Sequence, residues 1–341
     1  MAVGAPSRAD GSFGAWLRPL LLAKRSALNE THGPEWPYLA SGAWHMVIFH
    51  KKSHQRACAL DLAFGRLSGL ASPPTIAAAA CALGLDDATL FSGTLDPAAG
   101  DLNADRAQRK RQQIRSAASH ALGLLEDGMH CVEFGAGSGH LGLLIASLRP
   151  QCRVTLVEVK QHTCDIARGR IAAANLSNVC VFEGSVDAFA TAGAPFELAI
   201  GLHLCGLLSD AVLELATERK ARVCVVPCCY GQLAGSEDHV RGGGTALSMH
   251  PRSLTYRQNL GEDGIAAFQS HVVKSADCVA VGKGGAFDTS ASGFQTARRC
   301  MRCVDADRLL WAREQHAYEC VLAHPPAASH SPGSVLAAPC R

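Results

Sequence analysis

A glycine-rich segment at residues 133–142 is the part of the sequence best suited to hold a charged ligand. It reads Glu-x-Gly-x-Gly-x-Gly-x-x-Gly and begins within a short, mainly apolar run at residues 130–134. Glycine residues let the backbone turn sharply and approach a ligand without a Cβ atom in the way. The segment therefore predicts a ligand-binding loop between a strand and a helix.

The charge of the ligand separates two interpretations of this loop. Its second half, Gly137-x-Gly139-x-x-Gly142, has the pattern of dinucleotide-binding domains, which hold a pyrophosphate. Bare backbone N–H groups bind a pyrophosphate, and the carboxylate of Glu133 just before the loop would repel it. The same carboxylate can receive the ammonium group of S-adenosylmethionine. Glu133 therefore favours S-adenosylmethionine, and a nucleotide-dependent oxidoreductase stays as an alternative.

Further cofactor contacts are predicted where the next two strands end. Glu158 closes the second strand, where an acid can bind the ribose hydroxyls of either cofactor. After the third strand, Ser185 and the backbone of Val186 could bond the edge of an adenine ring, although an ordinary turn explains this segment equally well. The predicted cofactor-binding residues are Glu133, Gly135, Ala136, Gly137, Gly139, Glu158, Ser185 and Val186.

Polar side chains also follow the predicted fourth and fifth strands. The segments read Gly-Leu-His-Leu-Cys-Gly at 201–206 and Val-Pro-Cys-Cys-Tyr-Gly at 226–231, and polar chemistry is expected just beyond such strand ends. His203 is a candidate base if a proton must leave the acceptor, and Tyr230 could assist it. The predicted catalytic residues are His203, Cys205, Cys228 and Tyr230.

The cysteines of these two segments leave three alternatives open. A thiolate at Cys205 or Cys228 could add to a pyrimidine ring, as in carbon-5 methyltransferases, although the surrounding motifs differ. Together with His203 and Cys229, the same residues could bind zinc. However, adjacent cysteines rarely both point at one ion from a strand end, so no metal is expected. The third alternative is that small thiols only shape the cofactor pocket.

Short apolar runs alternate with helical patterns from residue 105 onward. This alternation predicts an α/β fold with a Rossmann-like, doubly wound, mostly parallel sheet, whose ligands lie at the carboxyl ends of the strands. The predicted strands are 130–134, 153–157, 179–183, 197–202, 221–226, 317–323 and 335–338, and the predicted helices are 105–125, 140–148, 161–174, 207–219 and 297–316.

The glycine loop and the segments at 203–206 and 228–230 together resemble one family of class I methyltransferases, which use S-adenosylmethionine. The family includes the transfer-RNA 2′-O-methyltransferases of the Trm-thirteen type, the methyltransferase-like-twenty-five type, and the methyltransferase half of the glutathione S-transferase C-terminal domain-containing protein. The similarity continues through residues 106–113, 251–253 and 300–308. It implies S-adenosylmethionine as cofactor and, for one branch, RNA as substrate.

The resemblance does not extend to the first hundred residues, where the glutathione-transferase-like half is not recognisable. We therefore predict a poorly defined, partly helical region at 1–100 and the methyltransferase domain at 101–341. Within the first region, the patterns indicate a strand at 44–50, a helix at 76–85 and a linker at 96–100.

Five basic residues crowd the helix before the glycine loop, and they could hold RNA phosphates or form a solvated face. RNA is the preferred methyl acceptor on this cluster and on the family resemblance. A small-molecule or protein methyltransferase and a non-catalytic scaffold are the alternatives. The basic residues are Arg106, Arg109, Lys110, Arg111 and Arg115.

Composition sets few limits on function. The formal net charge is +2 over 341 residues, which neither demands nor excludes a nucleic-acid partner. The 15 cysteines are scattered along the chain, which favours reduced thiols in a cytoplasmic enzyme over disulfides. No apolar run is long enough to span a membrane, so no membrane association is expected. The first 26 residues are also compatible with an organelle transit peptide.

Overall fold

The computed structural model describes residues 43–68, 75–77, 86–99, 102–230, 250–276, 291–324 and 334–339, together with residues 70 and 233. The chain divides into two compact units, Met1–Arg56 and Ala57–Arg341. The described part of the first unit is the start of a helix. The second unit contains the sheet and the candidate site.

The centre of the second unit is a sheet of eight strands in the order β1-β7-β8-β6-β5-β2-β3-β4. Its strands are β1 (Thr75–Ala77), β2 (His130–Phe134), β3 (Arg153–Glu158), β4 (Val179–Glu183), β5 (Leu198–Cys205), β6 (Arg222–Cys228), β7 (Tyr318–His324) and β8 (Ser334–Pro339).

Ten α-helices lie within the described residues. They are α1 (Ala43–Leu67), α2 (Asp87–Leu90), α3 (Ala104–Leu124), α4 (His140–Leu148), α5 (Gln161–Ala173), α6 (Val186–Ala192), α7 (Leu208–Glu218), α8 (Leu254–Ala267), α9 (Val273–Ala276) and α10 (Ser292–His316). A π-helical turn at Phe268–Val272 joins α8 to α9. No helix in this part of the chain is both long enough and apolar enough to cross a membrane.

Strand direction confirms the predicted fold class. The five strands β4, β3, β2, β5 and β6 run parallel to one another, whereas β8 is antiparallel to both β6 and β7. Strand order reverses at β2, because β3 pairs with one edge of β2 and β5 with the other. Ligands of such sheets bind at this switch point, beyond the carboxyl ends of the strands. The glycine loop follows β2 at that place.

The core lies on both faces of the sheet. Successive residues of a strand point to opposite faces, and β6 divides accordingly. Val223 and Val225 pack into one apolar cluster, which also contains Leu309 of α10. Cys224 and Val226 pack into the other, together with Ile114 of α3. Helices therefore cover both faces, as the doubly wound prediction requires.

Two predictions for the N-terminal region are wrong. Residues 44–50, predicted as a strand, belong to helix α1. The apolar side chains later in this helix, including Phe64, recur at helical spacing and pack into the core. Ile76 and Ala77, predicted as helix, belong to strand β1, and the rest of that prediction, residues 78–85, lies outside the described residues. The division of the chain at residue 100 stays a prediction.

Within residues 101–341 the differences are smaller. Strands β5 and β6 continue through Cys205 and Cys228, beyond the predicted ends. Helices α6, α8 and α9 have no counterpart among the predicted helices, and Asn103 rather than Asp105 caps α3, accepting from the Arg106 N–H. Pro97–Ala99, predicted as part of a linker, forms a 3₁₀ turn.

Candidate functional site

The glycine loop joins β2 to α4 through backbone that only glycine adopts easily. Gly139, the residue before α4, has φ of 79°. A Cβ atom there would lie 2.7 Å from Cδ1 of Leu156, well inside van der Waals contact. Both the left-handed conformation and the close approach of β3 therefore require glycine at this position.

Gly142 brings the loop against the predicted cofactor acid. Its backbone N–H donates to Oε2 of Glu133 over 2.8 Å. A Cβ atom on Gly142 would lie 2.4 Å from Cδ2 of Leu156 and 2.7 Å from the same Oε2 atom. The missing side chain thus leaves the space that the Glu133 carboxyl occupies.

The Glu133 carboxyl is held in a setting that favours its neutral form. It is 3% exposed, and burial raises its pKa to about 8, although the Gly142 N–H and the nearby Lys110 oppose the shift. Burial in turn lowers the pKa of Lys110, while Glu133 raises it. A cationic group bound beside Glu133 would stabilise the carboxylate, because an opposite charge favours ionisation.

Glu158 ends β3 and secures the loop. Its Oε2 atom accepts from the Gly137 N–H over 2.9 Å, and its Oε1 atom accepts from the N–H groups of Val159 and Lys160, both over 2.9 Å. The carboxylate therefore ties the glycine loop to the start of α5. Each oxygen can accept more than one hydrogen bond, so ribose hydroxyls would compete with or join these contacts.

A cavity of about 890 Å³ opens beside the glycine loop. The loop and the end of β5 form one part of its lining, and the basic side of α3 forms another. Of the predicted cofactor residues, four line it and four do not. The four that line it are Glu133, Gly135, Ala136 and Gly137, and the others are Gly139, Glu158, Ser185 and Val186.

The predicted adenine contacts have local structural roles. Ser185 caps helix α6, where its hydroxyl oxygen accepts from the Ala188 N–H over 3.1 Å. Val186 is buried in the core together with Phe189 of the same helix. The segment is therefore a helix start as well as a strand end.

His140 supplies a buried donor at the cavity. Burial, Arg170 and Lys110 lower its pKa to about 3, so the ring is neutral near neutral pH. Arg170 donates through Nη1 to Nε2 of this ring over 2.9 Å, which places the ring proton on Nδ1. Nδ1 is buried and has no hydrogen-bond partner among the described residues. A ligand acceptor such as a carboxylate would satisfy it.

His203 also lines the cavity, at an irregular point of β5. The register with β6 shifts between Leu202 and Leu204, and His203 has φ of 65°. With Nε2 donating to Oε1 of Gln113 over 3.0 Å, the lone pair of the ring is on Nδ1. Burial and Lys110 lower the pKa of His203, so the imidazole is neutral and able to accept a proton.

The two predicted catalytic cysteines lie together, but not on the cavity. The sulfur atoms of Cys205 and Cys228 are 3.0 Å apart. Cys229 adjoins them, since the three sulfur atoms lie within 4.8 Å of one another. His203 is not part of this group within the described residues, so the four-ligand zinc arrangement considered from sequence does not form.

Tyr230 is placed for packing rather than proton transfer. It is 1% exposed, and its hydroxyl donates to Oδ2 of Asp305 over 2.7 Å. Burial, followed by the charge of Asp305, raises the pKa of the phenol. Tyr230 is not among the described residues that line the cavity, and its assisting role stays a prediction.

Asp305 connects Tyr230 to a buried network of charges. Arg308 donates to Oδ1 of Asp305 over 3.0 Å and to Oδ2 of Asp210 over 2.7 Å. Asp210 also faces His250, whose other ring nitrogen lies 2.7 Å from Oδ2 of Asp307. All these side chains are almost fully buried. The network joins three parts of the chain: α7, α10 and the segment that precedes α8.

The five basic residues of α3 divide into two groups. Arg111 and Arg115 form ion pairs with Asp96 and Asp87. Arg106, Arg109 and Lys110 line the cavity. The first two residues therefore fasten the segment before α3, and the other three give the cavity a cationic side.

The residues present fit the predicted cofactor. The buried Glu133 carboxyl suits an ammonium group, and the Nδ1–H of His140 and the ammonium of Lys110 suit the carboxylate of the same amino acid. Glu158 does not line the cavity among the described residues, and its contact with the ribose stays a prediction. When bound, S-adenosylmethionine supplies an electrophilic methyl group on a sulfonium.

Comparison with known proteins finds a methyltransferase domain in this part of the chain. Residues 109–236 match the family model described as a methyltransferase domain. The chain therefore contains a methyltransferase domain, which supports an S-adenosylmethionine-dependent enzyme. The chain is 29% identical over 225 residues to the glutathione S-transferase C-terminal domain-containing protein of Xenopus laevis. The alignment covers 65% of this chain and 33% of that protein.

A second relative covers the same share of this chain, and one solved structure covers a smaller share. The Drosophila melanogaster homolog of the same protein is 29% identical over 226 residues, 65% of this chain and 34% of its own. The crystal structure of TrmN from Thermus thermophilus covers 33% of this chain and 38% of its own, at 19% identity and a TM-score of 0.31. The chain thus spans about a third of the length of these two relatives.

Three cavity residues escaped the sequence-based interpretation. Gln113 lies in the segment 106–113 of the family resemblance but has no predicted role there, Arg170 lies within α5 outside any motif, and His140 is the first residue of α4. Their roles depend on contacts between elements distant in sequence, such as the pair of Gln113 and His203. Only the position of His140, directly after the glycine loop, could have marked it.

Proposed function

We propose that the methyl acceptor of this enzyme is RNA. The observation that carries the proposal is the cationic side of the cavity. Arg106, Arg109 and Lys110 line the same cavity as the glycine loop and His203. An acceptor with phosphate groups would neutralise the charges of Arg106 and Arg109 while it placed a reactive atom near the methyl donor.

The distribution of ion pairs on α3 supports this proposal. Arg111 and Arg115 have carboxylate partners within the chain. A helix face that served solubility alone would not need to direct three further cations into a cavity. The glutathione S-transferase C-terminal domain-containing proteins share the methyltransferase region, but their names do not specify an acceptor. The proposal therefore rests on charge.

His203 is the residue we assign to proton removal. As the methyl group passes to a hydroxyl acceptor, the acceptor O–H bond breaks and an O–C bond forms. Nδ1 of His203 takes the proton, because Nε2 is engaged with Gln113. The electron pair of the broken C–S bond stays on sulfur. Catalysis comes mainly from holding the acceptor in line, with His203 as general base.

Paired variants of α3 test the assignment of RNA. We expect Arg106→Ala with Arg109→Ala to weaken RNA binding about tenfold or more and to flatten its dependence on salt, since fewer phosphates are neutralised. The matched control, Arg111→Ala with Arg115→Ala, removes equal charge from the same helix but should leave the salt dependence nearly unchanged. Equal effects of both pairs would contradict a specific phosphate-binding side.

A labelling assay identifies the acceptor class directly. The protein is incubated with methyl-labelled S-adenosylmethionine and separately with cellular RNA, protein and small-molecule fractions. Label in RNA that is lost in His203→Ala, with cofactor binding retained, is the expected result. Label in protein or small molecules alone would overturn the RNA proposal and leave the methyltransferase assignment intact.

A further inference from the structure

Three cysteine side chains meet where β5 and β6 end. Cys205 is the last residue of β5, Cys228 is the last of β6, and Cys229 follows it. Their sulfur atoms all lie within 4.8 Å of one another. Cys205 is exposed and the other two are half-buried, so solvent reaches the group. We call these three residues the thiol cluster.

The backbone fixes the cluster from both strands. Cys205 and Cys228 are direct partners in the parallel pairing of β5 with β6. The Gly206 N–H donates to the carbonyl oxygen of Cys228 over 3.1 Å, immediately beyond this pair. Two of the three sulfur atoms are therefore held side by side by the sheet itself.

The third sulfur atom joins the pair because the strand geometry ends at Cys229. Successive side chains of an extended strand point to opposite faces, which would separate Cys228 from Cys229. Cys229, however, has φ of 52°, in the left-handed region. This turn breaks the alternation and brings both sulfur atoms to one place. It removes the objection that adjacent cysteines cannot share an ion here.

The spacing of the sulfur atoms suits a tetrahedral metal ion. Zinc binds thiolate sulfur at about 2.3 Å, so two sulfur ligands of one tetrahedral ion lie about 3.8 Å apart. Cys205 and Cys228 are closer than this, at 3.0 Å, and the outer limit for any pair is 4.8 Å. Small side-chain rotations would therefore equalise the three distances. Three soft sulfur donors favour zinc over hard cations such as magnesium.

We propose that Cys205, Cys228 and Cys229 bind one Zn²⁺ ion as three thiolates, with water in the fourth position. Three S–H bonds are replaced by three Zn–S bonds, and three protons pass to the buffer. Three protein ligands with an open fourth position are the arrangement of catalytic rather than purely structural zinc sites. None of the three cysteines is among the described residues that line the cofactor cavity, so the proposal does not depend on the identity of the acceptor.

Metal titration of the reduced full chain tests the site. We expect about one Zn²⁺ per chain in competition with a chromophoric chelator, and a thiolate-to-cobalt charge-transfer band when Co²⁺ is substituted. Cys205→Ser, Cys228→Ser and Cys229→Ser should each weaken Zn²⁺ binding about a hundredfold or more, because each removes a direct ligand. Cys180→Ser, at an exposed cysteine of β4, is the matched control and should bind like the wild type.

X-ray absorption of the zinc-loaded wild type keeps the test independent of variant folding. Three sulfur neighbours per zinc are expected. A count of one or none, substoichiometric uptake, or Zn²⁺ affinities equal to that of Cys180→Ser in all three variants would overturn the site. A Cys205–Cys228 disulfide in the isolated protein, together with no zinc uptake after reduction, would also overturn it. Titration with S-adenosylmethionine in parallel shows that a failure here is separate from loss of methyltransferase function.

Discussion

The carboxyl of Glu133 accepts a 2.8 Å hydrogen bond from the backbone N–H of Gly142, nine residues later and across the glycine loop. This contact joins the end of β2 to the first turn of α4. It also keeps a buried carboxyl at the lining of the cavity. The loop is therefore organised around an acid, as an ammonium-bearing ligand requires and a pyrophosphate does not.

Gly142→Ala should disrupt this contact. The new Cβ atom would meet Leu156 at 2.4 Å and the Glu133 carboxyl at 2.7 Å, so one or both must move. We expect binding of S-adenosylmethionine to weaken about tenfold or more, as loss of a charged hydrogen bond predicts. Isothermal titration measures the effect.

Gly123→Ala is the matched control for Gly142→Ala. Gly123 lies in helix α3, and an added Cβ atom would meet nothing within 4 Å. Alanine there should stabilise the helix by about 0.5–1 kcal/mol and leave cofactor affinity unchanged. Equal affinity of both variants and the wild type would show that the Glu133–Gly142 contact does not matter for binding.

Cofactor affinity should depend on pH through Glu133. The pKa of this carboxyl is raised to about 8 in the ligand-free protein, so it is mainly protonated at neutral pH. A cationic ligand prefers the carboxylate, so binding releases a proton and strengthens as pH rises. We expect a gain of about tenfold per pH unit between about pH 6 and 7.5, before the α-amino group of the ligand itself begins to lose its proton.

Glu133→Gln is the control for this pH dependence. The amide can still accept the Gly142 N–H, but it has no proton to release. Affinity should fall and its slope with pH should nearly vanish over the same range. A slope in Glu133→Gln that matches the wild type would place the titrating group elsewhere.

His203 should titrate below its ordinary range as a neutral base. Burial and the charge of Lys110 both lower its pKa. Removing the positive charge by Lys110→Met should therefore raise the pKa of His203, which nitrogen-detected NMR can follow together with the proton on Nε2. Arg168→Met, on the exposed face of α5, should leave that pKa unchanged. No rise in Lys110→Met, or a lone pair on Nε2, would contradict the assigned role.

The buried charge network should contribute strongly to stability. Asp307 is fully buried and accepts from the N–H groups of Arg252 and Ser253, with His250 at 2.7 Å. In Asp307→Asn, an NH₂ group replaces one carboxylate oxygen and cannot accept from the surrounding N–H groups. The free energy of unfolding should therefore fall by about 3–5 kcal/mol. Chemical denaturation measures it. Arg168→Met breaks only exposed ion pairs and should have little effect, so equal losses would contradict the account.

The sequence was sufficient for the central strands because each carries a clear local signal. Strand β2 and helix α4 occur at the predicted residues, since a glycine loop separates a short buried run from an apolar helix. Residues 44–50 were misassigned as a strand because the apolar segment there is too short to distinguish the two periodicities. Only the later residues of α1, which pack into the core at helical spacing, show that the segment is helical.

The sequence is enough to predict which residues belong to the site, but not which contacts their side chains make. Glu133 and His203 were identified because acids and histidines at strand ends carry chemistry in this fold. The separation of Tyr230 from the cavity depends on Asp305, 75 residues away, and the grouping of Cys229 with Cys228 depends on a left-handed residue. Neither long-range pairing nor backbone handedness at a non-glycine residue leaves a local pattern in the sequence.

The most direct test of the central claim is isothermal titration of the purified protein with S-adenosylmethionine and, separately, with NADH. We expect saturable binding of S-adenosylmethionine, weakened in Glu133→Gln and in Glu158→Ala and retained in Gly123→Ala, with no binding of NADH. Binding of NADH alone, or unchanged S-adenosylmethionine affinity in both acid variants, would contradict the assignment of this cavity to the methyl donor.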